Sequence, residues 1–167
     1  FTLTFTPTSL TAVTSASFAL TFGAATASAI TTQPSGAVNG VAFTQQPVVR
    51  IVDSGGNTVT TSTVNVVASI ASGTGTLSGT TTVAAVSGVA TFTNLVITGT
   101  AGNFTLTFTP TALTAVTSAA FALTFGTATA SAITTQPSGA VNGVAFTTQP
   151  VIRIVDASGN TVTNSTV

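Results

Sequence analysis

The chain has 167 residues, of which 44% are hydrophobic and 2% are charged, and its formal net charge is zero. Its four charged residues are Arg50, Asp53, Arg153 and Asp156, and it contains no Lys, Glu, His, Cys, Tyr or Trp. Nucleic acid and anionic lipid both require clusters of Lys and Arg, so this composition argues against either partner.

The same composition includes few side chains that could take part in catalysis. Catalysis needs an acid, a base or an activated nucleophile, and here the only carboxylates are two widely separated Asp residues. Without Cys there is neither a disulfide framework nor a thiolate metal site. We therefore predict no catalytic, cofactor-binding or metal-binding residues and no cofactor, so the chain is not expected to be an enzyme.

No run of about 18 apolar residues occurs without a polar break, so the sequence predicts no transmembrane helix and no insertion into a membrane.

The sequence repeats itself over a long period. Residues 1–64 and 104–167 align without a gap, and only eight of the 64 positions differ. A period of 103 residues exceeds the 20 to 50 residues of solenoid repeats and fits a whole small domain. The chain is therefore expected to be a window cut from a longer array of such units.

The division between units is predicted at a segment of small residues, 126–131, and at its twin, 23–28, because both lack an apolar anchor and read as flexible joints. This division makes 1–26 the C-terminal strands of a preceding repeat and 27–129 a complete repeat. Residues 130–167 then become the N-terminal strands of a following repeat.

Strands are predicted wherever apolar and polar residues alternate, because side chains along a strand point to opposite faces. In chain order, the apolar residues predicted to face inward are Val64, Val66, Ala68 and Ile70; Phe104, Leu106 and Phe108; and Phe121, Leu123 and Phe125. The inward phase also jumps by three positions from Phe92 to Leu95, which predicts a β-bulge near Thr93 or Asn94.

Turn-forming residues separate these runs at short intervals. The predicted turns are Pro34–Gly36, Asn39–Gly40, Asp53–Asn57, Ser72–Gly75, Ser87–Gly88 and Gly99–Asn103. Seven or eight strands in about 103 residues fit an all-β fold of tandem immunoglobulin-like β-sandwich repeats. A closed barrel built from the same strands is the alternative.

The charged residues are predicted to have structural roles. Asp53 is expected to cap its own turn with its carboxylate, and Arg50 to pair with an Asp of the same or a neighbouring unit. The same expectations hold for Asp156 and Arg153.

Thr makes up about a quarter of the chain, and rows such as Thr105, Thr107 and Thr109 are expected to hydrate the outer face of a sheet without charge. Ordering of water for ice binding is a second interpretation of these rows. Asn103 and Asn164 each begin a formal N-glycosylation motif, so surface glycans are a possible partner.

The stretch ITTQPSGAVNGVAFTQQPVVRIVDSGGNTVT at 30–60, with its twin at 133–163, resembles the bacterial immunoglobulin-like tandem-repeat domains of large surface and secreted fibrous proteins. The TTQP stretch, the D-x-x-G-N turn and the G-x-A-T-F-x-N-L segment carry the resemblance, which covers the whole chain.

The resemblance implies an extracellular or cell-surface location and a structural role as a stalk, fibre or filament. The implied partners are neighbouring repeats and other copies of the chain. The alternative is an adhesin or binding module that recognises carbohydrate, a cell surface or ice through Thr-rich faces or loops.

Overall fold

The computed structural model describes residues 1–166, which form fifteen β-strands and no helix. The strands are β1 (Thr4–Phe5), β2 (Val13–Thr14), β3 (Ala27–Thr32), β4 (Ala37–Val38), β5 (Val48–Val52), β6 (Asn65–Ser72), β7 (Gly75–Ser78), β8 (Thr82–Ala84), β9 (Val89–Thr91), β10 (Val96–Gly99), β11 (Gly102–Pro110), β12 (Val116–Thr117), β13 (Phe121–Thr124), β14 (Ala128–Thr135) and β15 (Val151–Asp156).

The largest sheet is built around β11. Its strands follow the order β4-β13-β11-β6-β8, and β12 also pairs with β11. The β11 strand runs antiparallel to β6, with Phe108 opposite Ala68, whereas β13 and β4 are parallel.

The second sheet has the order β3-β5-β9, and all of its strands are antiparallel. Strands β7 and β10 form a separate antiparallel pair. Two further antiparallel pairs, β1 with β2 and β14 with β15, lie in the first and second copies of the repeated sequence.

The hydrophobic core lies between the two main sheets. Phe92, which follows β9, packs against Phe108 in β11, and the centroids of the two rings lie 5.3 Å apart. The core also contains Val49 and Ile51 from β5 and Val66 from β6, all fully buried. The all-β prediction is confirmed, and two sheets that share one core are consistent with a β-sandwich.

The alternation of side chains in the longer strands is confirmed. Phe104, Leu106 and Phe108 are at most 1% exposed, and the Thr residues between them lie on the other face. The strands are shorter and more numerous than predicted, because loops interrupt the apolar runs.

The predicted β-bulge near Thr93 or Asn94 is wrong. The chain leaves β9 at Thr91 and enters β10 at Val96, so no strand spans the phase jump. Because β9 pairs with β5 and β10 pairs with β7, the chain changes partner strands here. The three-residue step keeps Phe92 and Leu95 buried while the chain crosses over.

The predicted tight turn at Ser87–Gly88 is confirmed. Both residues have positive φ angles, 50° and 77°, as a two-residue type I′ hairpin turn requires. A Cβ on Gly88 would lie 2.4 Å from the carbonyl oxygen of Val59, so this position requires glycine for space as well.

The two copies of the repeated sequence have different environments. Phe104, Leu106 and Phe108 are buried, but their twins Phe1, Leu3 and Phe5 are 71%, 52% and 58% exposed. In the later copy the facing sheet covers these residues, and β11 also pairs with β6, whose sequence occurs once in this chain.

Candidate functional site

The first Asp turn follows β5 directly. One carboxylate oxygen of Asp53, Oδ1, accepts hydrogen bonds from the backbone N–H groups of Gly55 at 2.9 Å and Asn57 at 2.8 Å. The other oxygen, Oδ2, accepts the N–H of Gly23 at 2.7 Å. The predicted capping role of Asp53 is confirmed, and its bond to Gly23 also ties the turn to the small-residue segment before β3.

These donors stabilise the ionised carboxylate of Asp53. The Gly23 N–H contributes most, followed by the side-chain amide of Asn57, and together they lower the pKa of Asp53 to about 2.

The second Asp turn follows β15 and makes more contacts. Asp156 is 3% exposed, and its Oδ1 accepts the backbone N–H groups of Ser158 and Asn160, both at 2.9 Å. Its Oδ2 accepts the N–H of Gly126 at 2.8 Å and the side-chain amides of Asn39 at 2.8 Å and Asn160 at 2.9 Å. Asp156 therefore caps its turn as predicted, and it also contacts a residue 117 positions earlier.

The pKa of Asp156 is set by two opposing effects. Burial alone would raise it, but the N–H donors outweigh burial, and the Gly126 backbone N–H is the strongest of them. The pKa of Asp156 is thereby held well below its usual range.

The predicted pairing of Arg50 with an Asp does not occur within residues 1–166. Arg50 Nη1 donates to the carbonyl oxygen of Gly56 at 3.0 Å and to the hydroxyl of Thr58 at 3.2 Å. Arg153 Nη1 likewise donates to Thr161, at 3.4 Å. Each Asp already accepts several N–H donors, from its own turn and from other segments, and each Arg bonds neutral oxygens in or next to the turn.

The segment predicted as a flexible joint, 126–131, contains a strand start and a hydrogen bond to a distant turn, and its role as a division between units stays a prediction. Strand β14 begins within it, at Ala128, and the N–H of Gly126 is bound by Asp156. A Cβ on Gly126 would lie 2.7 Å from the carbonyl oxygen of Asn39. The small residues therefore permit close contact with neighbouring backbone.

Two loops from earlier in the chain, one at Asn39 and one at Gly99 and Ala101, complete the site around Asp156. The side chain of Asn160 donates to the carbonyl oxygen of Gly99 at 2.9 Å and accepts the N–H of Ala101 at 2.7 Å. Asn39 Oδ1 accepts the N–H of Gly99 at 2.9 Å. We call the set Asn39, Gly99, Ala101, Gly126, Asp156, Ser158 and Asn160 the joint.

Sequence reasoning missed the roles of Asn39 and Asn160 in the joint. It identified Asn39 only as part of an Asn-Gly turn and Asn160 only as the last residue of a capped turn. No local sequence pattern gives these roles: both residues are 9% exposed or less, and their burial, which requires hydrogen-bond partners, is set by the fold.

Open space lies beside the joint. A cavity of about 460 Å3 is lined by Phe125, Gly126, Thr127, Val162 and neighbouring residues. A second cavity of about 220 Å3 is lined by Asn39, Gly126 and Asp156, among others. In residues 1–166 no group of three or more His, Cys, Asp or Glu side chains could hold a metal ion.

The predicted Thr rows lie on the outer face of the large sheet. The hydroxyls of Thr107 and Thr117 lie 3.1 Å apart, and Thr105 and Ser72 are hydrogen-bonded at 2.8 Å. The hydroxyl pair recurs in the first copy between Thr4 and Thr14, also at 3.1 Å. These bonds fix the orientation of the hydroxyls across neighbouring strands.

Both predicted glycosylation residues, Asn103 and Asn164, are exposed, and their modification stays a prediction. Within the described part of the chain there is no helix of the length and hydropathy needed to span a bilayer.

Comparisons with known proteins do not assign this chain to a family. No protein-family model matches the chain, and no curated protein matches it. Among solved structures, one that resembles it is the crystal structure of a glycosyl hydrolase family 2 member from Bacteroides cellulosilyticus, with a TM-score of 0.46 and 18% identity. The match covers 70% of this chain and 16% of that one, so this chain corresponds to a small part of it. A likeness at this level assigns no activity.

Proposed function

We propose that the chain belongs to a structural, non-catalytic extracellular protein in which immunoglobulin-like β-sandwich repeats of about 103 residues form a stalk, fibre or filament. In this proposal 27–129 is one complete repeat, 1–26 ends the repeat before it, and 130–167 begins the repeat after it.

The observation that carries the proposal is the direct contact between copies at the joint. Asp156 and Asn160 of the second copy are buried against Asn39, Gly99 and Ala101 through hydrogen bonds of 2.7 to 2.9 Å. An ordered connection of this kind would transmit a fixed orientation from one repeat to the next, as an extended rod requires.

The state of the two carboxylates supports a non-catalytic role. Both oxygens of Asp53 and both oxygens of Asp156 accept N–H hydrogen bonds, which lower the pKa of each group. A general base needs a pKa near the working pH and a free lone pair, and these groups have neither.

Negative-stain electron microscopy of the purified protein tests the proposal. We expect beaded rods or fibres with a regular axial repeat of roughly 30 to 40 Å, since a strand of about ten residues spans ~34 Å. Compact, separate particles without an axial repeat would contradict the filament.

A second candidate function is a binding module, favoured by the hydrogen-bonded hydroxyls on the outer sheet face at Thr105, Thr107 and Thr117. Such a face offers oriented, uncharged groups to carbohydrate, to a cell surface or to ice. A glycan array and a thermal hysteresis assay on the chain distinguish this candidate, because specific activity in either one favours binding over scaffolding.

A further inference from the structure

Two turns of nearly the same sequence occupy different surroundings in this chain. In the first, Asn57 is exposed and its side-chain amide bonds only Asp53, at 3.2 and 3.1 Å. In the second, the corresponding Asn160 is buried and its side chain also bonds Gly99 and Ala101. What the second turn adds is its contact with the loops that contain Asn39, Gly99 and Ala101.

The side chain of Asn39 connects both sides of this contact. Its Nδ2 donates to Asp156 Oδ2 at 2.8 Å, and its Oδ1 accepts both the N–H of Gly99 at 2.9 Å and the hydroxyl of Ser158 at 3.2 Å. Because Asn39 is 7% exposed, these bonds are shielded from water. One side-chain amide therefore connects the turn of the second copy, at Asp156 and Ser158, to the loop at Gly99.

From these contacts we infer that the D-x-x-G-N turn of each copy is the docking element that binds the Asn-Gly turn of the copy before it, without a metal ion. The partner is thus a second copy of the same unit. The inference rests on the proposed tandem arrangement for its extension to further copies, but the contact itself lies within this chain. Asn142, the twin of Asn39, is exposed and offers the same amide to another turn.

The hydrogen bonds of Asp156 explain why no cation is needed. Its two oxygens accept five N–H groups, and each N–H points its positive end at the carboxylate. Hard cations bind oxygen ligands, so a calcium ion at this position would have to displace those donors. The N–H groups stabilise the buried charge in place of a metal.

Amide hydrogen exchange measured by NMR on the full 167-residue chain tests the inference. The substitution Asn39→Asp keeps an acceptor for the Gly99 N–H but places a second carboxylate against Asp156. Juxtaposed like charges at an interface are strongly unfavourable, so exchange at Ala101 and Gly126 should accelerate at least ~10-fold. Exchange in the core, for example at Val66, should stay unchanged.

The matched control is Asn142→Asp, which makes the same change in the second copy at an exposed residue, and it should leave exchange at Ala101 and Gly126 as in the wild type. If the exchange rates at Ala101 and Gly126 in the Asn39→Asp variant equal those of the wild type, the inference is overturned.

A double variant separates the joint from general misfolding. Asn39→Asp combined with Asp156→Asn removes the like-charge pair and exchanges donor for acceptor, so Ala101 should regain part of its protection relative to Asn39→Asp alone. No recovery would overturn the inference, even if the single variant unfolds.

A calcium titration tests the claim that the contact forms without a metal ion. The Ser158 and Asn160 amide resonances should not move in millimolar calcium, and a saturable shift would overturn that claim. The microscopy of the proposed filament is a separate measurement, so a failed filament and a failed joint give different results.

Discussion

Gly126 is a residue of the joint at which two segments of backbone lie close together. Its N–H binds Asp156, and any side chain at this position would meet the backbone carbonyl of Asn39. Its twin Gly23 makes the same bond to Asp53, but an added Cβ there would be in ordinary van der Waals contact, with the nearest atom at 3.6 Å. One glycine is thus required by packing, and its twin is not.

This difference predicts unequal effects of one substitution. Gly126→Ala forces the joint apart and should lower the free energy of unfolding by about 1 to 3 kcal/mol, as overpacking typically does. Gly23→Ala should be neutral or stabilise by up to ~1 kcal/mol, since alanine restricts the unfolded chain. Chemical denaturation of both variants measures the effect, and equal losses would show that the contact with Asn39 is not responsible.

The hydrogen-bond partners of Asp156 also show what a local sequence pattern can predict at the residue scale. The sequence predicted only that it caps its own turn, because the D-x-x-G-N pattern is local. The hydrogen bonds that Asp156 accepts from Asn39 and from Gly126 span 117 and 30 positions, and no local pattern encodes such separations in sequence.

At the scale of elements, β11 shows that the same sequence is buried in one copy and exposed in the other. In β11 the apolar face of FTLTF is covered by the facing sheet, whereas in residues 1–5 it is exposed. The alternation predicted the strand and its inward face correctly in β11. It could not predict that the same face would lack a cover in the earlier copy, because burial depends on segments that are distant in sequence.

The twin phenylalanines allow a direct measurement of this effect. Phe108→Ala removes a fully buried ring that packs on Phe92 and should cost about 3 to 5 kcal/mol of unfolding free energy. Phe5→Ala removes a ring that is 58% exposed and should change stability by about 0.5 kcal/mol or less. Guanidinium denaturation monitored by circular dichroism provides both values. A large loss for Phe5→Ala would mean that residues 1–5 are covered in solution.

The break between β9 and β10 shows that the periodicity of apolar residues cannot predict by itself how strands pair. A phase jump of three residues is compatible both with a bulge and with a chain that leaves one sheet for another. Only the pairing of Val96 with Ser78, in a different strand pair, decides between the two.

At the scale of the whole molecule, the composition makes the response to pH unusually simple. Asp53 and Asp156 are the only side chains that titrate between pH 7 and pH 2. Both have a folded pKa below the unfolded value of ~3.9, so their contribution to stability is present above about pH 4. It is lost as the pH falls through the folded pKa, which is about 2 for Asp53.

We therefore expect the melting temperature to be constant from about pH 7 to pH 5 and to fall from about pH 4 towards pH 2. The Asp53→Asn, Asp156→Asn double variant should melt at a lower temperature near neutral pH and show a much flatter profile. Differential scanning calorimetry across this range measures both proteins. Parallel profiles would show that the two carboxylates do not control the acid response.

The sequence by itself determined the all-β class, the strand faces, the tight turns and the capping role of Asp53, because alternation, positive φ and turn capping depend on neighbours in the chain. The division into units and the structural function stay predictions.

Only the tertiary structure decided that β14 begins within the small-residue segment, that Arg50 bonds its own turn, and that Asn39 meets Asp156. The physical reason is that a hydrogen bond between buried groups requires donor and acceptor to lie within about 3 Å, and in this chain the fold, not the spacing in sequence, sets that distance.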